Sequence, residues 1–406
     1  MPGKRLKLGV HPTNHASVFA FTLAAMLAGV RVAESQQEPT APQVVAAADL
    51  QTAIDHLGDL DYAMRTDAGR LVRRTAPAQA VPALLKAVAD HRDGYVRYRA
   101  LVLLTGFNDS RTHDVMREAL HSPNDRLRTV AYSYFEHAPD LSMTAELIAG
   151  LDKETAEFVR PALVRALAAL GADARVQPIL IREAGRGEDF FRSAVIEALG
   201  DYRAGYAFQT LTAVANLDGP LRDDAVLALG KVGDKRAMET LASVQRVVPR
   251  ADQPAIAAAI CLLGSNCDLH QNYLIDTLKF ADANQGYQEL LRSATAALGT
   301  LGTSGHRESV QALMDIGAPS QDPTRARVAL ALATVALRNT AGFLPLLQEQ
   351  SKRSEVIDLL AEGFDMLEED LDKERFFAVV RRTYWDTTQP AATRTLMQTL
   401  IAKLDF

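Results

Sequence analysis

Residues 218–237 read DGPLRDDAVLALGKVGDKRA. Arg222 is followed after three residues by Ala225 and after seven by Leu229, offsets that place both on one face of a helix. The same arrangement recurs upstream at Met64-Arg65, Val96-Arg97, Leu127-Arg128, Val159-Arg160 and Phe191-Arg192, at intervals of 30 to 32 residues. Three positions past each of these Arg stand Ala68, Ala100, Ala131, Leu163 and Val195, and seven past stand Val72, Leu104, Phe135, Leu167 and Leu199. Between successive Arg helices lies another amphipathic stretch, such as AVPALLKAVAD or MTAELIAGLDK, so each unit is two helices joined by tight turns.

Downstream of residue 240 the pattern drifts. PAIAAAICLLG (254–264) carries Ile256 where Arg stood, Arg292 restores the position, and Arg325 or Arg327 fills the next. SEVIDLLAEGFDML and PAATRTLMQTLIAKL read as the last two second helices. About eleven helical hairpins then occupy residues 44–406, and because one hairpin cannot bury its apolar face alone, neighbours must stack. The expectation is an all-α chain forming an elongated, right-handed α-solenoid in which each hairpin touches only its neighbours.

Composition agrees with that reading. The chain has 406 residues, 48% hydrophobic and 23% charged, with aromatics at 6% and a single Trp, Trp385. A net charge of −6 argues against a nucleic-acid binder, which needs a basic surface.

The first 35 residues stand apart. Lys4, Arg5 and Lys7 precede an apolar run from Val18 to Val30, and Ala33-Glu34-Ser35 offers small residues at the positions a signal peptidase requires. The apolar run is short of the ~20 residues a spanning helix needs, so the sequence predicts a signal peptide cleaved near Ser35. Residues 36–43 are expected as a short disordered lead-in, with no membrane span in the mature chain and a periplasmic or secreted location. In an oxidising compartment Cys261 and Cys267 could form a disulfide. Gly264, in a left-handed conformation, would fold the chain back to bring them together. With only His270 near them in sequence they make a poor metal site.

The unit 218–237 resembles the bacterial HEAT-like repeat, the short-period form also found in phycobilisome lyase relatives, and the resemblance covers nearly the whole mature chain. It implies a HEAT-like superhelix in which the repeat Arg residues form an inter-repeat polar ladder and an acidic N-cap precedes each second helix. Carried onto this chain, the ladder comprises Arg65, Arg97, Arg128, Arg160, Arg192, Arg222 and Arg292, with Asp93, Glu188 and Asp218 as acidic caps. Asn124 substitutes as a cap, whereas Ala156 and Gln288 depart from the pattern. The resemblance implies a scaffold more readily than an enzyme. The His-Glu pairs of deoxyhypusine hydroxylases are absent, as are the Trp-lined basic groove of the alkylpurine glycosylases and every common nucleotide, zinc, calcium or nucleophile motif. Bilin lyase activity does not suit an exported chain. Neither a catalytic residue, a cofactor nor a metal is therefore expected.

Three further clusters stand out. His113, Asp114, Glu118 and His121 share a first helix, but the two His are eight apart, roughly 12 Å along the axis, too far for one ion. Glu362, Asp365, Glu368, Glu369, Asp370 and Asp372 form an acidic run that reads as a solvated helix end. Tyr62, Tyr95, Tyr98, Tyr132 and Tyr134 lie near Arg70, Arg73, Arg74, Arg97 and Arg99 in the first three hairpins, the residue types that dominate binding hot spots. Positions one and five past the repeat Arg are expected to be exposed on the concave face, from Thr66 and Arg70 through Tyr98 and Val102 to Asp223 and Leu227. The candidate binding residues are Arg70, Tyr95, Tyr98, Arg99, Tyr132 and Arg165.

The function these features point to is a non-enzymatic scaffold that binds a protein partner through its concave face. A cell-envelope polymer or other extended ligand is the alternative, and an enzyme with an unrecognised site the remote one. Export is tested by intact mass: the chain recovered outside the cytoplasm should begin near Gln36, and a full-length chain confined to the cytosol would refute it.

Overall fold

The computed structural model describes residues 38–406, which form one compact unit. Eleven helical hairpins follow one another. They are α1 (Ala47–His56) with α2 (Tyr62–Arg74), α3 (Pro77–Asp90) with α4 (Gly94–Thr105), and α5 (Thr112–Ala119) with α6 (Asp125–His137). Next come α7 (Thr144–Lys153) with α8 (Arg160–Ala169), α9 (Gln177–Ala184) with α10 (Asp189–Asp201), and α11 (Phe208–Ala215) with α12 (Arg222–Val232). Then α13 (Ala237–Gln245) pairs with α14 (Gln253–Leu262), α15 (Cys267–Ala283) with α16 (Gln288–Thr303), and α17 (Arg307–Gly317) with α18 (Thr324–Arg338). The last two are α19 (Thr340–Glu349) with α20 (Arg353–Met366), and α21 (Asp370–Trp385) with α22 (Ala391–Lys403). The described residues contain no β-strand; Gln43 and Thr75 form one isolated bridge. None of their helices is long and apolar enough to cross a membrane.

Periodicity explains the stack. The positions three and seven past each repeat Arg are all buried, and Leu104, Phe135, Leu167, Leu199 and Leu229 are wholly inaccessible. Each such side chain contributes roughly 1.5–3 kcal/mol. Second helices pack directly on their successors from α4 through α20. In α14 the Arg-less repeat is apolar all round, so its Ile256 side belongs to the core of the N-terminal hairpins and its Ala258 and Cys261 side to that of the C-terminal ones. Close approach is set by small residues. A Cβ on Gly230 would lie 2.6 Å from the Ala259 Cα, and one on Gly200 2.7 Å from the Ala228 Cα. Replacing Gly230 by Val should therefore cost about 1–3 kcal/mol through forced backbone separation, measured as a lower urea midpoint; unchanged stability would show that α12 and α14 can part freely.

The array is not open-ended, which corrects the expectation that hairpins touch only their neighbours. Helix α21 leaves the first-helix layer, packs against α18, and crosses to α4 and α6. Its Asp370 accepts hydrogen bonds from the Tyr98 hydroxyl and, at 3.0 Å, from Arg99 Nη1. Asp372 pairs with His137 Nε2 at 2.7 Å. Glu374, 1% exposed at its side chain, pairs with Arg73 at 2.8 Å and with Arg381 at 3.5 Å. Phe377 stacks on Phe406 with ring centroids 3.9 Å apart while the Arg73 guanidinium lies over it, and Arg70 pairs with Asp405.

The segment expected as a disordered lead-in is also held, from Glu38 to Gln43. Tyr384 and Trp385 donate to the Glu38 and Pro39 carbonyls at 3.1 and 2.9 Å, Glu38 pairs with Arg74, and Gln43 exchanges backbone bonds with Arg74 and Ala76. Polar residues without periodicity are ordered here because a distant helix supplies their partners.

This closure carries a pH dependence. Burial pushes the carboxyls of Asp370 and Asp372 up. The charge of Arg99 and the Tyr98 hydroxyl pull Asp370 back down, and the hydrogen bond and charge of His137, with Arg338, do so for Asp372, so both end below the ordinary aspartate value of 3.8. Carboxyls depressed by folding contribute stability that is present above their unfolded value and is lost as pH falls through the folded one. Closure should thus hold at neutral pH and weaken below about pH 4, read as swelling in small-angle scattering; Asp370→Asn with Asp372→Asn should weaken it at neutral pH and flatten that acid dependence. A double variant as closed as the parent would overturn the assignment.

Candidate functional site: the concave cavity

Closure leaves a cavity of 920 Å³ between the second helices from α6 to α18 and the start of α21. Gly200, Gly230, Gly299 and Ala331, at the close contacts between successive second helices, lie along its floor. Its walls are charged, with Arg165, Arg203, Lys231, Arg292, Arg327 and Arg338 facing Glu136, Glu197, Asp201 and Glu369.

Most of these charges are already committed to one another. A single buried oxygen, Glu136 Oε1, accepts from Arg165 Nε at 2.8 Å, the Tyr202 hydroxyl at 3.1 Å and Arg338 Nη1 at 3.3 Å. Asp201 receives Arg165 at 3.0 Å and Lys231 at 2.7 Å, and Arg338 reaches Glu369 at 3.6 Å. Burial pushes Arg165 down, yet Glu136 and Asp201 hold its guanidinium above its ordinary value. Burial and the Glu136 charge push the Tyr202 hydroxyl up. Glu197 is different: burial and then Asp224 raise its carboxyl. The arrangement suits holding a polar ligand by fixed charges.

The concave Tyr/Arg patch is not an open surface, contrary to expectation. Tyr98 and Tyr132 are buried, as is Val102. Tyr98 and Arg99 engage Asp370, Arg70 engages Asp67 and Asp405, and Tyr95 packs on Tyr98 beneath Arg126. Arg165 belongs to the cavity instead. Only the first half of the acidic run is a solvated helix end: Glu362, Asp365 and Glu368 are exposed, whereas Glu369, Asp370 and Asp372 meet Arg338, Arg99 and His137. His113 and His121 pair separately with Asp140 and Glu146 of the next hairpin.

The repeat Arg residues do two jobs. Arg65, Arg97, Arg128, Arg192 and Arg222 donate to carbonyls at or beyond the end of the preceding first helix, those of Asp59, Val88, Ser122, Ala184 and Leu217. That satisfies orphan acceptors at the negative end of the helix. Only some reach the next hairpin, Arg128 to Glu154 at 2.7 Å and Arg160 to Glu183 at 3.2 Å. Arg292 bonds Glu289 within its own helix. Asp93 and Asn124 are side-chain caps; Glu188 makes no capping bond, and Asp218 pairs with Arg222 because α12 starts three residues later than the acidic-cap pattern requires. Two further members, Arg353 and Arg394, donate to Leu347 and Tyr384 carbonyls. Their signal was readable, since Val356 and Leu360, and Met397 and Ile401, stand three and seven residues on.

The sulfurs of Cys261 and Cys267 are in disulfide contact. Gly264 has φ 76°, with Gly264 N–H on Cys261 O and Ser265 N–H on Ile260 O, the paired bonds of a Schellman turn. His306, distant in sequence, lies against both sulfurs. The candidate signal sequence lies outside the described residues.

Compared by sequence, the chain matches no family model and no curated protein. Compared by structure, it is similar to the complex of CpcE and CpcF of phycocyanin lyase from Nostoc sp., with 20% identity, 64% of this chain and 96% of that one covered, and a TM-score of 0.40. It is also similar to importin beta, with 12% identity, 87% and 64% covered, and a TM-score of 0.41. The repeated helical hairpins, their stacked second helices and the Arg seal at the hairpin ends make the described chain a HEAT-like α-solenoid.

Proposed function

We propose that this chain is an exported, non-enzymatic scaffold that binds a protein partner, and that the docking surface is the edge of the array rather than its concave face. One observation carries this reading. The loops from first to second helix all lie along one edge of a stack of parallel hairpins, and across five successive hairpins they or the adjoining turn expose Phe158, Phe190, Leu217, Val247 and Tyr287, with Phe158 81% and Val247 77% accessible. With neighbouring helices about 8–10 Å apart, the four spacings of such a row span roughly 32–40 Å. Large apolar side chains in a row, on a protein whose core is otherwise well sealed, mark an interaction site. Export is supported by the basic and apolar pattern before Ser35 and by the Cys261–Cys267 contact. Non-enzymatic character is supported by the mutual pairing of the cavity charges.

The charge-lined cavity favours a second reading, a polar extended or small ligand held inside the array. The two separate by experiment. Affinity purification of the mature chain from its own envelope fraction should capture a protein that the triple variant Phe158→Ser, Leu217→Ser, Val247→Ser loses and the cavity variant Arg292→Ala, Arg327→Ala keeps. Capture lost only in the cavity variant would overturn edge docking in favour of the second reading.

A further inference from the structure

Two turns on the edge opposite the exposed apolar row bring together residues that sequence distance keeps apart. Helix α14 ends at Leu262, Gly264 and Asn266 take φ 76° and 45° in the turn that follows, and Cys267 opens α15. One turn further along that edge, Gly305 at φ 97° leads into His306 at the start of α17, and the His306 backbone N–H is fixed on the Leu301 carbonyl at 3.0 Å. The consequence is a three-residue cluster, Cys261, Cys267 and His306, whose donor atoms all lie within 4.8 Å of one another. His306 Nδ1 is 3.6 Å from the Cys267 sulfur and 3.9 Å from the Cys261 sulfur.

We propose that the dithiol form of this chain binds one Cu(I) ion through Cys261, Cys267 and His306, and that the disulfide is the closed state of that site. The distances fit the assignment. With a metal–sulfur bond of about 2.3 Å and a metal–nitrogen bond of about 2.0 Å, a sulfur and a nitrogen 120° apart lie about 3.7 Å from each other, and the two observed sulfur–nitrogen separations bracket that value; the two sulfurs, bonded here, would part to about 4.0 Å around the ion once reduced. The donor set fits as well. Two thiolates and an imidazole are ligands that select Cu(I) or zinc; three protein donors leave zinc with an open fourth position to be filled by water, whereas they complete a three-coordinate Cu(I) site. No fourth His, Cys, Asp or Glu joins the cluster among the described residues. Cys267 stands at the N-terminal end of a 17-residue helix, which favours the thiolate. His306 and Leu262 line the concave cavity, which gives an ion a route in from solvent.

The chemistry balances. A dithiol reductant supplies two electrons and two protons to the Cys261–Cys267 bond and itself becomes a disulfide. On binding, the two thiols release two protons to water as two sulfur–copper bonds and one nitrogen–copper bond form, and copper stays in its +1 state. A disulfide oxidant takes up the two electrons of the thiolates and two protons from water to become a dithiol, re-forms the Cys261–Cys267 bond, and by removing both thiolate donors releases the ion as Cu(I).

The test uses the mature chain, reduced with a dithiol, freed of reductant without air, and titrated with Cu(I) in competition with a chromogenic Cu(I) chelator. One equivalent should be withdrawn from the chelator by the reduced chain and none by the disulfide form. His306→Ala should weaken binding at least about tenfold, and Cys261→Ser with Cys267→Ser should abolish it while the helical circular dichroism is retained. X-ray absorption on the parent chain, which needs no variant to fold, should show two sulfurs and one nitrogen around copper. Copper left wholly with the chelator, binding that survives loss of both cysteines, or a sulfur-only environment would overturn the site.

Discussion

Glu374 sits almost out of reach of water between guanidiniums from opposite ends of the chain, Arg73 of the first hairpin and Arg381 of the last. A carboxylate in that position cannot be left alone, nor can either Arg, since an unpaired buried charge costs several kcal/mol. Burial pushes the Arg381 guanidinium down to about 10, and Glu374 works against that shift. The ends of the array are therefore coupled by mutual need: if α21 moved away, Arg73 would lose its carboxylate and Glu374 would keep only Arg381 of its own helix.

That coupling reshapes what the repeat can offer. An open solenoid presents its concave face along its whole length. Here α21 spends the first three hairpins' share of that face on the molecule itself, with Asp370, Asp372 and Glu374 taking Tyr98, Arg99, His137 and Arg73. What remains inside is a cavity of charges paired through Glu136 and Asp201. Binding capacity is displaced to the edges, one carrying exposed apolar side chains and the other the cysteine–histidine cluster.

Local chemistry marks where the repeat gives way. In α14 Gln253, not Ile256, stands where the Arg stood: it donates to the Gln245 and Val248 carbonyls at or beyond the end of the preceding first helix, while Ile256 and Ile260, three and seven positions on, lie in the core and the helix joins the N-terminal and C-terminal cores. The turn that follows holds Gly264 and Asn266 and is fastened covalently by Cys261 at the end of α14 and Cys267 at the start of α15.

The helical hairpins, their number and the faces they bury were legible in the sequence, because a recurring Arg with apolar residues three and seven positions on is a local signal that stacking reads directly. The Schellman turn at Gly264 was legible for the same reason. So were two clusters taken singly, the Tyr/Arg group of the first hairpins and the acidic run from Glu362 to Asp372. Their union was not. Nothing in a one-dimensional pattern says that residues about 270 to 300 apart will meet, because that depends on the small rotation each hairpin adds to the last, summed over the whole array. His306 reached the cysteines in the same way, and only the tertiary structure, by closing the array and aligning its turns, decided which charges became a latch and which side chains were left to bind.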